Sequence, residues 1–240
     1  MKIWPLVRLE ARKIRIRNLI LLAIPITTIL LFSTFVSIFG VNQDHASSFA
    51  AIFKMMTSTV WDFYLFYTAY LISKIIVEEY VNHTVIIMFT YSIKRTRIFL
   101  AKILLASMIS LICQFLSQVI CFAFVIIADD RFSIVNGVLT ESACNEFWQY
   151  VMVDLLAEEA AVLFISAIAI MKKSVSSVFL YGIGFLFLYQ VLISQINSFP
   201  MLWICYTSLL IVSIIAYIFS IRHWMNRLTT RSKISLHDRE

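Results

Sequence analysis

The stretch SVSSVFLYGIGFLFLYQVLISQINSFPMLWICYTSLLIVSIIAYIFSI, Ser174 to Ile221, runs for 48 residues without a charged side chain. As one straight helix it would be roughly 72 Å long, more than twice a hydrocarbon core of roughly 30 Å. It therefore reads as a hairpin of two membrane-spanning helices, about 174–195 and 200–221. The break falls at Gln195-Ile196-Asn197-Ser198-Phe199-Pro200, the polar, proline-containing cluster within it. Working outward with the same criterion, Ile103–Ala128 is 26 residues without a charge, a third span. Asn18–Gly40 is 23 such residues, the first span, with Pro25 inside it as a kink site that neighbouring helices can accommodate. It lacks the short apolar region and small-residue cleavage site of a secretory signal, so it reads as retained. The second span covers about 55–77, with Asp62 in it and Lys74 near its end. The fourth covers about 150–171 and must end before Lys172-Lys173.

Composition agrees. Hydrophobic residues make up 61% of the 240 and charged residues 14%, with a mean hydropathy of +0.88. Soluble domains run at about 45–50% apolar and about 25% charged, so the excess has no soluble interior to hide in. Long apolar runs, rather than short alternating segments, argue against a β-barrel. The expected fold is an all-α membrane protein of six transmembrane helices in one domain, 1–240. Nothing outside the spans exceeds about 25 residues, which excludes a soluble catalytic domain.

Charge sets the orientation. Met1–Arg17 carries six basic residues against Glu10, with Ile3, Val7, Ala11 and Ile14 at helical spacing and Trp4 at the start. It reads as an amphipathic helix on the membrane surface, and equally as the basic flank that orients the first span. With this end inside, the inner segments hold 18 of the basic residues and the outer loops hold Lys54 and Arg131, a split of 18 to 2. Both termini, including the polar tail 222–240, are then cytoplasmic. The formal charge of +6 follows from this rule and calls for no nucleic-acid partner.

The chain lacks the residues of several chemistries. No glycine stands near Lys173-Ser174, so there is no phosphate-cradling loop. The four histidines, His45, His83, His223 and His237, are scattered. Cys113, Cys121, Cys144 and Cys205 form no CxxC pair, and three lie in apolar runs, as packing residues do. No catalytic, cofactor-binding or metal-binding residue is expected.

Three acids interrupt the fourth span. Asp154 and Glu158 are four apart on one helical face, with Glu159 beside them. A charge at the bilayer centre costs about 2.5–3.5 kcal/mol even on the lenient scale. These acids should face a watery cavity or a cation, or one should be protonated; alternatively the span starts late and leaves them at the interface. As candidates for a substrate pathway they are joined by Asp62. A Glu-Glu pair also occurs in glutamic intramembrane proteases, but Glu158-Glu159 is followed by Leu163 where that motif has Arg, and no later span carries a His before His223.

Between the second and third spans lies EEYVNHTVIIMFTYSIKRTRIFLAK, Glu78–Lys102, the largest inner loop. Glu79 is followed by Thr84, an apolar run Val85–Phe89, then Ser92-Ile93-Lys94-Arg95, and Lys102 at the next span. This resembles the corresponding loop of type 2 ABC exporter permeases, the class that includes antibiotic, polysaccharide and bacteriocin-immunity exporters. There an acidic residue precedes a Gly-Thr pair, a short apolar helix, a Pro-x-Ser-Arg-like turn and a Gly-Lys. Glu79, Thr84, Arg95 and Lys102 match; His83, Ser92 and Ala101 depart, where Gly, Pro and Gly are usual. The size, six spans, basic amphipathic start and inner termini extend the resemblance over the whole chain.

The resemblance implies a permease in a bacterial cell membrane that works with a second permease subunit, identical or paralogous, and two cytoplasmic ATPase subunits that hold ATP and Mg. It implies ATPase coupling through Glu79, Thr84, Val85, Met88, Phe89, Arg95 and Lys102, and helix-in-groove docking suits the apolar run. Its small size resembles permeases of lantibiotic and bacteriocin self-protection, so an amphipathic or antimicrobial peptide is the expected cargo. The outer loops, with Asp44, Asp129, Asp130, Glu141 and Glu146 against two bases, would suit a cationic one. The alternative is a non-transport accessory or sensor membrane subunit.

Overall fold

The computed structural model describes residues 3–13, 16–40, 49–81, 95–132, 139–195 and 199–237. Among these every element is helical: α1 (Ile3–Lys13), α2 (Ile16–Gly40), α3 (Phe49–Ile72), a π-helical turn (Ser73–Val77), α4 (Glu78–Val81), α5 (Arg95–Phe132), α6 (Glu141–Lys172), α7 (Val175–Gln195) and α8 (Phe199–His237). Five stretches are long and apolar enough to cross a membrane: Arg17–Val36, Phe49–Tyr80, Thr96–Phe132, Val175–Leu192 and Phe199–His223. Within Ser174–Ile221 the chain forms two helices, α7 ending at Gln195 and α8 starting at Phe199. The helix holding the third expected span is longer than the span and begins at Arg95.

α6 stands outside that group of five because Asp154, Glu158 and Glu159 interrupt its apolar run. Its place in the fold answers the same chemistry. It is the central helix, packed against α8, α3, α5 and α7. The acids are thereby turned into protein. Ala157, Ala160, Ala161 and Ala169 are fully buried along it, and such small side chains let neighbouring helices approach closely. Its start is capped by Thr140, whose Oγ1 accepts from the Ala143 N–H at 3.4 Å. Its end is set by Lys173 in the left-handed conformation, φ 53°, with its N–H donating to the Ala169 carbonyl at 3.0 Å. From there the Lys173 ammonium lies 4.8 Å from the centroid of the Tyr80 ring on α4.

α3 is the second inner helix. Of its apolar stretch 72% is buried, against 22% for each of α2, α7 and α8. The outer helices therefore turn most of their Leu, Ile, Val and Phe outward, which in a multi-pass protein is the lipid-facing side. Aromatic rings fasten the inner layer: Trp61 of α3 stacks on Tyr189 of α7 at 3.6 Å, and Phe122 of α5 stacks on Phe147 of α6 at 4.3 Å. α1 packs along α5. It buries Leu6, Val7 and Glu10 and leaves Trp4 and Leu9 exposed.

Gly182 marks where α7 crosses α3 and α6. A Cβ there would meet Leu65 at 3.5 Å, with Ala69 and Ile165 at 3.8 Å, which is ordinary contact. Gly182→Ala should therefore raise stability by up to about 1 kcal/mol through helix propensity. Gly182→Leu should lower it by about 1–3 kcal/mol through overpacking. Thermal unfolding of the purified protein in detergent measures both.

Candidate functional site

Two polar assemblies interrupt the apolar interior. The first sits where α1, α4 and α5 meet. Lys102 is 1% exposed, and its ammonium lies 2.6 Å from Glu79 Oε2 and 3.1 Å from Glu10 Oε2. It also donates to the Ile75 carbonyl at 3.4 Å. That carbonyl belongs to the π turn, a backbone form that recurs at functional sites. Lys13 completes the group, donating to Glu79 Oε1 at 2.5 Å. One ammonium thus faces two carboxylates in a site closed to water, where a pair holds only if both partners are present.

This assembly contains two residues expected at the coupling loop. Glu79 stands at the end of α4, before residues 82–94, and Lys102 stands two turns into α5, after them. The clamp therefore ties the two ends of that segment to each other and to α1. Thr84, Val85, Met88 and Phe89 lie outside the described residues, and Arg95 opens α5. Glu10 and Lys13 were not among the expected site residues. The signal for Glu10 was its being the lone acid in a basic helix.

The second assembly lies between α3, α5, α6 and α7. Asp154 and Glu158 are both 0% exposed. The Tyr189 hydroxyl donates to Asp154 Oδ1 at 2.5 Å and the Gln118 amide to Oδ2 at 3.0 Å. The Thr68 hydroxyl donates to Glu158 Oε1. Neither acid joins an ion pair among the described residues. Glu159 points to another side of α6, accepts from the Ser107 hydroxyl at 2.5 Å, and lines a groove of about 480 Å³ with Leu111, Phe115, Leu155, Leu156 and Trp203. Asp62 takes the Gln190 amide on both oxygens at 2.7 Å. Of the four expected pathway acids, the fold buries Asp154 and Glu158 one helical turn apart on α6. It sets Asp62 beside them and directs Glu159 to the groove.

The partners on α5 were missed. Ser107, Ser110, Gln114, Ser117 and Gln118 recur at three- and four-residue steps in an otherwise apolar helix, a polar stripe that faces α6 and α3. All five are buried. The spacing was visible, but only the carboxylates drew attention because they alone carry charge.

This architecture, apolar helices around a central acidic one, is that of a multi-pass membrane protein. The model of the ABC-2 family transporter proteins matches residues 6–193, and the chain belongs to that family. ABC-2 permeases are membrane-embedded and work with ATPase subunits. The uncharacterized protein YcbO of Bacillus subtilis (strain 168) is 28% identical over 118 residues, 48% of this chain and 52% of that protein. The match thus covers about half of each.

Removing the buried cation should leave Glu10 facing Glu79 with only the more exposed Lys13 to compensate them. Lys102→Met is expected to cost about 3–5 kcal/mol, and Glu10→Gln in the same background to restore part of it. Thermal denaturation of the three proteins in detergent checks this. A double variant no more stable than Lys102→Met alone would show that the two groups are not energetically linked.

Proposed function

We propose that this chain is the six-span permease subunit of an ATP-driven exporter in a bacterial cell membrane, moving amphipathic peptides or similar amphipathic compounds out of the cell or the bilayer. α6 is the sixth span: at 32 residues it is roughly 48 Å long, enough to cross, and its acids are held by protein partners rather than by lipid. The 18-to-2 distribution of basic residues supports cytoplasmic termini. Two permease subunits, identical or paralogous, act with two copies of a cytoplasmic ATPase that binds ATP and Mg. This chain supplies no catalytic group.

The observation that carries the coupling reading is the Lys102–Glu79–Glu10 clamp. An apolar segment that receives force is useful only if its ends cannot give way independently. Here both ends meet at one buried ammonium, so displacement of residues 82–94 reaches α3, α5 and α1 together. Val85, Met88 and Phe89 supply the apolar face for a groove on the ATPase, with Thr84 and Arg95 at its ends. The ATPase shifts the permease only if its nucleotide states bind this face differently. Asp62, Asp154, Glu158 and Glu159 become a route for a cationic amphipathic cargo when the helices around α6 part.

The decisive experiment is co-purification with a cytoplasmic ABC ATPase from the same cells. Phe89→Asp should abolish association and efflux while leaving thermal stability unchanged, because it alters only the docking face. Glu79→Ala should lower both stability and efflux. If the Glu79→Ala, Phe89→Asp double variant still binds the ATPase and exports normally, the coupling reading is wrong; if the native chain co-purifies with no ATPase, it is an accessory or sensor subunit instead.

A further inference from the structure

Two carboxylates share the pocket beside α3 and α5, and the groups around them do not neutralise them. Glu158 is an electrostatic neighbour of Asp154. The titratable groups within electrostatic reach of the pair are Asp62 and Tyr64 on α3, Tyr150 and, from another side of the helix, Glu159 on α6, Tyr189 on α7 and Tyr206 on α8. Among the described residues none of these neighbours is a cation. Two negative charges buried a helical turn apart with only neutral donors around them are costly, and a positive charge joining them relieves that cost.

A second observation indicates where. Glu158 Oε2 and Gln118 Oε1 are buried with no hydrogen-bond partner, as are both polar atoms of Gln114. Gln118 is at the pocket, because its amide nitrogen binds Asp154. Gln114 stands one helical turn from Gln118 and one from Ser110, which neighbours Glu158 while its hydroxyl donates to the Ser107 carbonyl at 3.1 Å. All three share the stripe of α5 that faces the acids. Leaving so many buried polar atoms unmade costs about 1–3 kcal/mol each. Leucine at the glutamine positions would avoid that cost, so packing alone does not explain them. The unpartnered oxygens are hard donors, suited to a proton or a small alkali cation and not to a soft metal.

We propose that Asp154, Glu158, Gln114 and Gln118 form a buried binding site for a monovalent cation, a proton or sodium, between α3, α5 and α6. The cation occupies the closed bundle and leaves when the helices part. It makes opening of the bundle sensitive to the cation concentration on the side to which the site opens. The inference rests on the helical packing and needs neither the ATPase nor any cargo.

N,N′-dicyclohexylcarbodiimide tests it on the full chain in membranes. The reagent adds to a protonated carboxyl in an apolar setting, and mass spectrometry reads the adduct on Glu158. Labelling is expected in the native chain and absent from Glu158→Gln. A proton site loses its labelling as the pH is raised and ignores sodium. A sodium site loses it when sodium replaces choline at constant pH. Gln114→Leu should shift the midpoint of either response by about tenfold in cation concentration, the effect of losing one charge-assisted contact. If Gln114 and Gln118 only fill space, Gln114→Leu instead raises thermal stability and leaves the midpoint where it was. That result overturns the proposal, as does labelling indifferent to both pH and sodium, or no labelling of Glu158 under any condition. Failure here leaves the coupling reading intact, and normal labelling with an uncoupled ATPase would do the reverse.

Discussion

A carboxylate or ammonium inside a lipid-surrounded bundle must find compensation within the protein, and most of this structure follows from that requirement. The cost of an uncompensated charge is comparable to the whole stability of a domain. α6 carries three acids through an apolar run, so it cannot lie at the periphery. It occupies the centre instead, and α3, α5, α7 and α8 arrange around it. Each acid then receives its own donors: Tyr189 and Gln118 for Asp154, Thr68 for Glu158, Ser107 for Glu159. The polar stripe on α5 exists because α6 is acidic.

The same rule operates at the other polar assembly with the opposite sign. There a buried ammonium is the group that needs compensation, and it draws two carboxylates from different elements. Because one of them is on α1, a helix that would otherwise only float on the membrane surface is fixed to the start of α5. The π turn contributes by offering the Ile75 carbonyl to the same ammonium. The result ties α1, α4 and α5 to one another. Among the described residues the centre of α6 has no such ion pairs, and its acids accept from neutral donors.

The apolar remainder is less specific. The faces of α2, α7 and α8 are sorted by hydropathy alone, and many Leu, Ile and Val positions there touch little of the protein. Specific packing is concentrated on α6, where alanines admit close neighbours, and in the aromatic stacks that join α3 to α7 and α5 to α6.

The apolar segments, the break before Phe199 and the family likeness were all legible in the chain. Transfer from water to lipid is close to a sum over residues, so a local count suffices. The candidate acids were legible for the same reason, since a charge in an apolar run stands out. What each charge touches was not. Lys102 meets Glu10 across 92 positions and Glu158 meets Thr68 across 90, and no local count links them. The sequence by itself determined that this is a helical membrane protein with a polar segment between two spans and misplaced acids. Only the tertiary structure decided that Glu79 and Lys102 close one clamp with Glu10, and that Asp154 meets Tyr189 and Gln118 while Glu158 meets Thr68. The physical reason is that compensation of buried charge depends on distance in space, which the packing of helices sets.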